Sequence, residues 1–445
     1  MNAYTPFDAV MDIGFISALM IVGVVLRRFV PWFRSLLIPA PITAGLLGLA
    51  LGPEVLGWLP FSDKLGTYST ILIAIVFASM PFSMTFSAQN IKGARTMWAF
   101  STSMFMGQWG IFILLGLFLF TPVWGTEEWF GMMLPVGFVG GFGTAAAVGG
   151  ALDTVGASAA ASLGFTSATV CTLAALVRGI LFANWGIRNK KTASLPDKLP
   201  WELLAGYIEE HRRPSIGKAT TNPSAIEPLA LHFGAIIVTV MLAYLGQQQI
   251  TSMFPNVSIP LFALSFVVGI FMVLGLKLIG KPNYLDKDTM STISGGSTDF
   301  LIAFGIASIV PAAVASYWVP LLVMFVLGII YCFGFFCLAS KFFEEGWLER
   351  GIFGWGWATA AVATGIALLK IVDPKLKSGT LNEYGVAYVG FAPFEIGMTI
   401  LAPIAVVSGF TLGLGVAATA IFAVILVVAT VHGMRANSAI THQME

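Results

Sequence analysis

The chain has 445 residues, of which 57% are AVILMFWYC and only 10% are Asp, Glu, Lys or Arg, with a mean hydropathy of +0.87. Soluble domains carry about 25% charged residues, so a chain this poor in charge cannot clothe its apolar surface in water and reads as an all-α integral membrane protein. Lys plus Arg number 23 against 22 acids, which leaves no basic surplus for a phosphate backbone and excludes nucleic acid as an expected partner.

The N-terminus, MNAYTPFDAVMD, has acids and no base before the first apolar run, so it does not read as a cleavable signal. Apolar runs bounded by charge, Pro and Gly then predict spans at 11–30, 36–55, 67–88, 96–120 and 162–187. Between the fourth and fifth lies 130–153, GMMLPVGFVGGFGTAAAVGGALD after Phe130, apolar but dense in Gly and Ala. Gly weakens a helix interior by about 1 kcal/mol, so this stretch reads as a broken, re-entrant hairpin. A polar segment, 188–226, follows as a cytoplasmic linker, expected to be a solvated connector, with a short helix from Trp201 to His211 as the alternative. The order then repeats with spans at 229–250, 258–280, 289–313 and 317–340, a second Gly/Ala-rich hairpin at 351–370, and a span at 384–408. A further run, 410–431, has no counterpart in the first half and is expected to form an extra C-terminal helix within 409–445.

With the N-terminus outside and each hairpin returning to its own side, every basic residue except Lys64 and Arg178 falls in a cytoplasmic segment, as the positive-inside rule requires. Making 130–153 a full crossing would put the basic linker outside. Five spans per half is odd, so 1–187 and 227–408 form inverted repeats whose hairpins approach the midplane from opposite faces, and the C-terminus ends in the cytoplasm. GFGTAAAV from Gly141 is echoed by GWG and TAAV from Gly354 and Thr359, and IPAPITAGLLGL from Ile38 by IPLFALSFVVGI from Ile259. Inverted repeats with interrupted helices point to secondary transport.

Irregular backbone inside a bilayer is tolerated only where it meets protein, water or a ligand, which makes the tips the candidate site. Gly140, Gly141, Phe142, Gly143 and Thr144 in the first hairpin and Gly354, Gly356 and Thr359 in the second are expected to bind substrate, with N–H donors at helix starts facing a carboxylate. The hydroxyls of Thr144, Thr359 and Thr364, with freed carbonyls, are expected to hold a sodium ion. Tight packing of small residues is the competing explanation of such runs. Arg178 and Glu395, in the spans after the two hairpins, are intramembrane charges and therefore functional candidates; they pair with each other, or Arg178 faces a substrate carboxylate and Glu395 an amine or cation. Asn184 and Asp299 are weaker candidates, each also explained as a cap or an interfacial group. Gly48 with Gly52, and Gly409 with Gly413, have the spacing of close helix contacts.

No catalytic constellation emerges, so no enzyme and no cofactor are expected. The cysteines Cys171, Cys332 and Cys337 sit in apolar stretches without metal-ligand spacing, and the histidines 211, 232, 432 and 442 are scattered. GLKLIGK at 275–281 approaches a phosphate loop, but Pro282 stands where Ser or Thr belongs and no strand precedes it.

Gly140-Gly141-Phe142-Gly143-Thr144-Ala145-Ala146, Ile38-Pro39-Ala40-Pro41 and Gly164-Phe165-Thr166-Ser167-Ala168-Thr169 together resemble the sodium/glutamate symporter family over nearly the whole chain. Gly354-Trp355-Gly356 and Thr364-Gly365-Ile366-Ala367 resemble its second hairpin. Phe142 stands where the family has His, Trp355 and Trp357 with a small insertion alter the second tip, and the run 410–431 departs from a ten-span pattern. The resemblance implies two inverted five-span repeats with opposed hairpins, a homodimer, and an elevator-type exchange of a moving domain against a fixed scaffold. The expected function is sodium-coupled symport of a small carboxylate, glutamate or a related amino acid, across the plasma membrane. The alternatives are a proton-coupled or exchange carrier of another organic anion, with Glu395 titrating, and a channel or sensor without coupled transport.

Overall fold

A computed structural model describes residues 4–83, 93–192, 204–253, 259–281, 283–343, 346–374 and 376–444, with side chains described up to residue 429. Among these, every regular element is helical, as hydrocarbon demands of a chain that must satisfy its own backbone. In chain order the main helices are α1 (Pro6–Phe29), α2 (Ala40–Leu51), α3 (Leu65–Ser83), α4 (Ala94–Trp124), α5 (Ala160–Arg188), α6 (Pro228–Met253), α7 (Leu261–Leu278), α8 (Lys287–Ala307), α9 (Trp318–Phe342), α10 (Trp347–Thr359), α11 (Val362–Val372), α12 (Thr380–Val407) and α13 (Thr411–Met444). Nine helices among the described residues are long and apolar enough to cross a membrane: α1, α3 to α7, α9, α12 and α13, the last over Thr411–Ala429.

Every expected span carries a helix, with differences that have local causes. The span at 36–55 shortens to α2, because Pro39 is its N-cap, Pro41 lies in its first turn, and at Gly52 the chain folds back through bonds from Gly57 N–H to the Gly52 carbonyl and from Trp58 N–H to Leu51. Its 12 residues rise about 18 Å, well short of hydrocarbon thickness. The span at 289–313 ends at Ala307, and Pro311 starts a separate short helix, Pro311–Ser316. Residues 84–88 of the third span, residue 258 of the seventh, and residues 201–203 of the alternative linker helix lie outside the described residues. Beyond them the linker does not stay helical to His211: Leu204 and Ala205 are helical, Gly206 turns with φ +68°, and a 3-10 turn, Glu210–Arg212, forms before an extended stretch. Gly409, with φ +68°, forms the turn between α12 and α13, so it is not half of a helix-contact motif.

The helices pack as two groups. In one, α3 lies against α7 and α8, α2 against α1 and α8, and α6 against α7. In the other, α4 contacts α12 and α13, while α5 contacts the first Gly/Ala-rich segment, α10 and α11. Of the most apolar window of each helix, 67% is buried in α5 and 17% in α1, so the interior of the molecule surrounds α5 and the lipid-facing rim includes α1.

The linker is docked rather than free. Lys218 N–H and both Thr289 N–H and hydroxyl donate to the Asp286 carboxylate, the Thr292 hydroxyl donates to the Ile216 carbonyl, and Asp286 N–H donates to Nε2 of the buried His232. Although desolvation opposes it, these donors and the neighbouring His232 hold the Asp286 carboxyl below its usual range.

Candidate functional site

Both Gly/Ala-rich segments are broken helices. The first comprises a 3-10 turn Phe130–Met132, a helix Met133–Gly137, an interruption at Phe138–Gly140, and then Gly141–Thr144, a π turn Ala145–Gly149 and Gly150–Thr154. The second is α10 and α11, interrupted at Ala360–Ala361.

Helix α5 acts as a ruler for their depth. Gly149 packs on Ala160 and Ala161 at its start, and Gly137 packs further along on Ser167 and Ala168. From the other direction Gly186, near its end, packs under Leu348, and the Trp355 indole N–H donates to the Ala175 carbonyl at 3.1 Å. Leu368 returns to Gly179. The start and end of the first segment lie on one side of the molecule, because Glu127, Trp129 and residues 155–159 line a single cavity of about 470 Å³ with Tyr317. The Tyr317 hydroxyl donates to the Glu127 carboxylate there; burial, then the adjacent carboxylate, push its pKa up to about 12.

The two interruptions touch. Gly141 has φ +64°, a conformation open to glycine at no steric cost, and a Cβ built on it would lie 2.6 Å from the Ala360 carbonyl oxygen. Around this crossing Phe142, Thr144, Thr359 and Thr364 are buried, whereas Gly140 and Gly143 are half-buried. The Thr359 hydroxyl donates to the Trp355 carbonyl, which leaves its lone pairs free to accept or to meet a cation. Gly354 and Gly356 serve close packing instead: Gly354 faces the Phe100 ring, and Gly356 backs onto Gly365 between the two arms of the second segment.

A residue that sequence reasoning missed supports the crossing. Gln108 of α4, fully buried, donates through Nε2 to the Ala358 carbonyl at 2.9 Å, one of the carbonyls freed where α10 stops. Among the described residues its Oε1 has no hydrogen-bond partner, and neither does the hydroxyl of Ser167 beside Gly137. An amide inside an apolar run was the available signal. Arg178 and Glu395 do not form an ion pair among the described residues. The Glu395 carboxylate accepts from the Tyr388 hydroxyl at 2.9 Å, one face of α12 along, while Arg178 is half-buried on α5 with an Nη1 that has no hydrogen-bond partner among the described residues. Around the second tip, Trp355 and Trp357 are fully buried, with Trp357 edge-on to Phe391. Elsewhere, the charges that flank the second segment are joined: Arg350 and Glu383 form a buried bidentate pair.

A profile of the sodium/glutamate symporters matches residues 5–370. The chain belongs to the sodium/glutamate symporter family. The match spans both interruptions, including Gly141, Ala360 and Thr364, and stops before α12, so Glu395 and α13 lie beyond it. Membership makes the chain a multi-pass membrane transporter rather than an enzyme. No curated protein matches the chain. A solved structure of the sodium proton antiporter from Methanocaldococcus jannaschii at pH 8 is similar at 16% identity, with 92% of this chain and 99% of that chain covered. Its TM-score of 0.36 is too low for the likeness to carry an argument.

Proposed function

We propose that this symporter couples sodium to the uptake of a small carboxylate, glutamate or a related amino acid, at the place where the two broken helices meet. The contact of Gly141 with the Ala360 carbonyl carries the reading, since it brings the two helix breaks together in the interior. N–H groups at the start of Gly141–Thr144 and of α11 suit a carboxylate. Oxygen acceptors suit sodium and an amine: the hydroxyls of Thr144, Thr359 and Thr364, the end carbonyls of α10 and Gln108 Oε1. Arg178, with one amino group unspent, is a second carboxylate partner.

Coupling follows from shared ordering. Sodium bound among the threonines fixes both interruptions, so the carboxylate then binds at lower entropic cost, and by linkage each ligand tightens the other. The two segments are read as re-entrant hairpins of two inverted repeats, 1–187 and 227–408. That reading is supported by contacts that exchange between halves: α2 with α8 and α7 with α3, α1 with α2 and α6 with α7. The group formed by α4, α5, α9 to α12 and the first hairpin is the part that slides, and α1 to α3 with α6 to α8 form the scaffold of a homodimer in the plasma membrane, N-terminus outside and C-terminus in the cytoplasm. Proteoliposomes test this: glutamate accumulation should require an inward sodium gradient, and accumulation indifferent to sodium overturns it. The Glu395–Tyr388 bond favours one other reading, proton coupling, which predicts uptake driven by a pH gradient and lost in Glu395→Gln.

A further inference from the structure

Helix α8 carries an exposed polar face. Ser291, Thr292, Gly295, Gly296 and Asp299 are all exposed, at the spacing of one helical face, while Met290, Leu301 and residues 303–307 are buried. A Cβ built on Gly295 or Gly296 would meet nothing within 4 Å. From Lys287 to Asp299 the helix rises about 18 Å, which takes a carboxylate to roughly the middle of the hydrocarbon. Among the described residues no Lys, Arg or His side chain lies within 4.0 Å of the Asp299 carboxylate. Hydroxyls, bare backbone and an unpaired carboxylate are costly against lipid tails, so water covers this face. A second opening lies at the tips: Ala361 and Ala363 are exposed, although Ala360 and Thr364 on either side are buried. Helix α8 also packs directly on Gly141–Thr144 of the first segment.

We propose that this α8 face is one wall of a water-filled crevice leading from the Lys287 end of the helix to the crossing of the two broken helices, with Asp299 at its inner end as a transit site for a monovalent cation. The crevice stands on exposure and polarity alone; the cation assignment rests on the sodium-coupled reading. A carboxylate without a protein counter-charge attracts a cation and repels an anionic substrate, so Asp299 serves the ion and not the organic acid.

The test uses the full chain in proteoliposomes with Cys337→Ser, Cys171 and Cys332 being buried. A thiolate reacts and a thiol does not, so a membrane-impermeant cationic thiosulfonate modifies hydrated cysteines. Gly295→Cys and Ser291→Cys should react from the Lys287 side roughly tenfold or more faster than Phe271→Cys, an exposed apolar position on α7. Rates no faster than that of Phe271→Cys overturn the crevice. So does spontaneous disulfide formation between two Gly295→Cys chains, which would make the face a dimer contact. Asp299→Asn should raise the sodium concentration for half-maximal uptake several-fold and leave the labelling of Gly295→Cys unchanged; an unaltered sodium dependence overturns the cation role. If labelling proceeds as expected but wild-type uptake ignores sodium, the crevice stands and the symport reading falls.

Discussion

Gly141 and Gln108 show how little side chain the crossing uses. Gly141→Ala brings a methyl group 2.6 Å from the Ala360 carbonyl at a positive φ, so it should lower the thermal midpoint, by more than about 1 kcal/mol in stability, and reduce uptake. Gly143→Ala, whose methyl group would meet only Ile73 at 3.6 Å, is the matched steric control and should leave the thermal midpoint near wild type. Gln108→Leu strips the Ala358 carbonyl of its strong donor, leaving the weak Cys332 thiol at 3.9 Å; a cost of about 1–3 kcal/mol is expected, read as a lower unfolding temperature in detergent. The glycine run around Gly141 was legible from sequence because backbone breaks have a composition. Gln108 was visible only as an amide in an apolar run, since its partner lies 250 residues away. For Arg178 and Glu395, sequence position gave depth in the membrane but not direction around the helix axis. Tyr388, on the same helix as Glu395, takes the place of the expected arginine.

At the scale of elements, the supports of the two broken helices lie at their ends. Arg350 donates from Nε at 2.7 Å and from Nη2 at 2.5 Å to Glu383, and also to the carbonyls of Gly346 and Ser378, tying the start of α10 to the start of α12. Only 11% and 9% of the two side chains are exposed, so the charges are desolvated and breaking the pair should cost about 3–5 kcal/mol in Glu383→Gln. Glu383→Gln combined with Arg350→Met should recover part of that loss, which thermal unfolding of the four forms of the cycle measures. From sequence Arg350 was legible only as one of the cytoplasmic basic residues and Glu383 was not singled out, because a charge beside an apolar run carries no sign of whether it bends inward. At the opposite end, the bond from Tyr317 to Glu127 requires the phenol proton. Its pKa is raised above the unfolded value of about 10, so its contribution is full below that pH and fades as pH rises through about 12. The stability difference between wild type and Tyr317→Phe should therefore be constant from neutral pH to about pH 9 and shrink above it. Helix ends were missed at α2 and α8, where apolar residues beyond Gly52 and beyond Ala307 continued the hydrophobic pattern past the true stop.

For the whole molecule, the packing of α5 against both broken segments is what unites the account. Its first turns hold Gly149, its middle holds Gly137 and Trp355, and its last turns hold Leu348. Composition and the distribution of basic residues made the class of protein and the order of spans legible. The partition into two packed groups was not, because contacts between distant helices leave no local trace in a hydrophobic pattern. Under the proposed transport mechanism each broken segment leaves the bilayer on the face from which it came, the two from opposite faces. Single cysteines at Glu128, Ser158, Lys341 and Lys377, labelled by an impermeant reagent in intact and inverted vesicles, test it most directly. Glu128→Cys and Ser158→Cys should react together from the outer face, and Lys341→Cys and Lys377→Cys together from the cytoplasmic face; either pair divided between the two faces would contradict it.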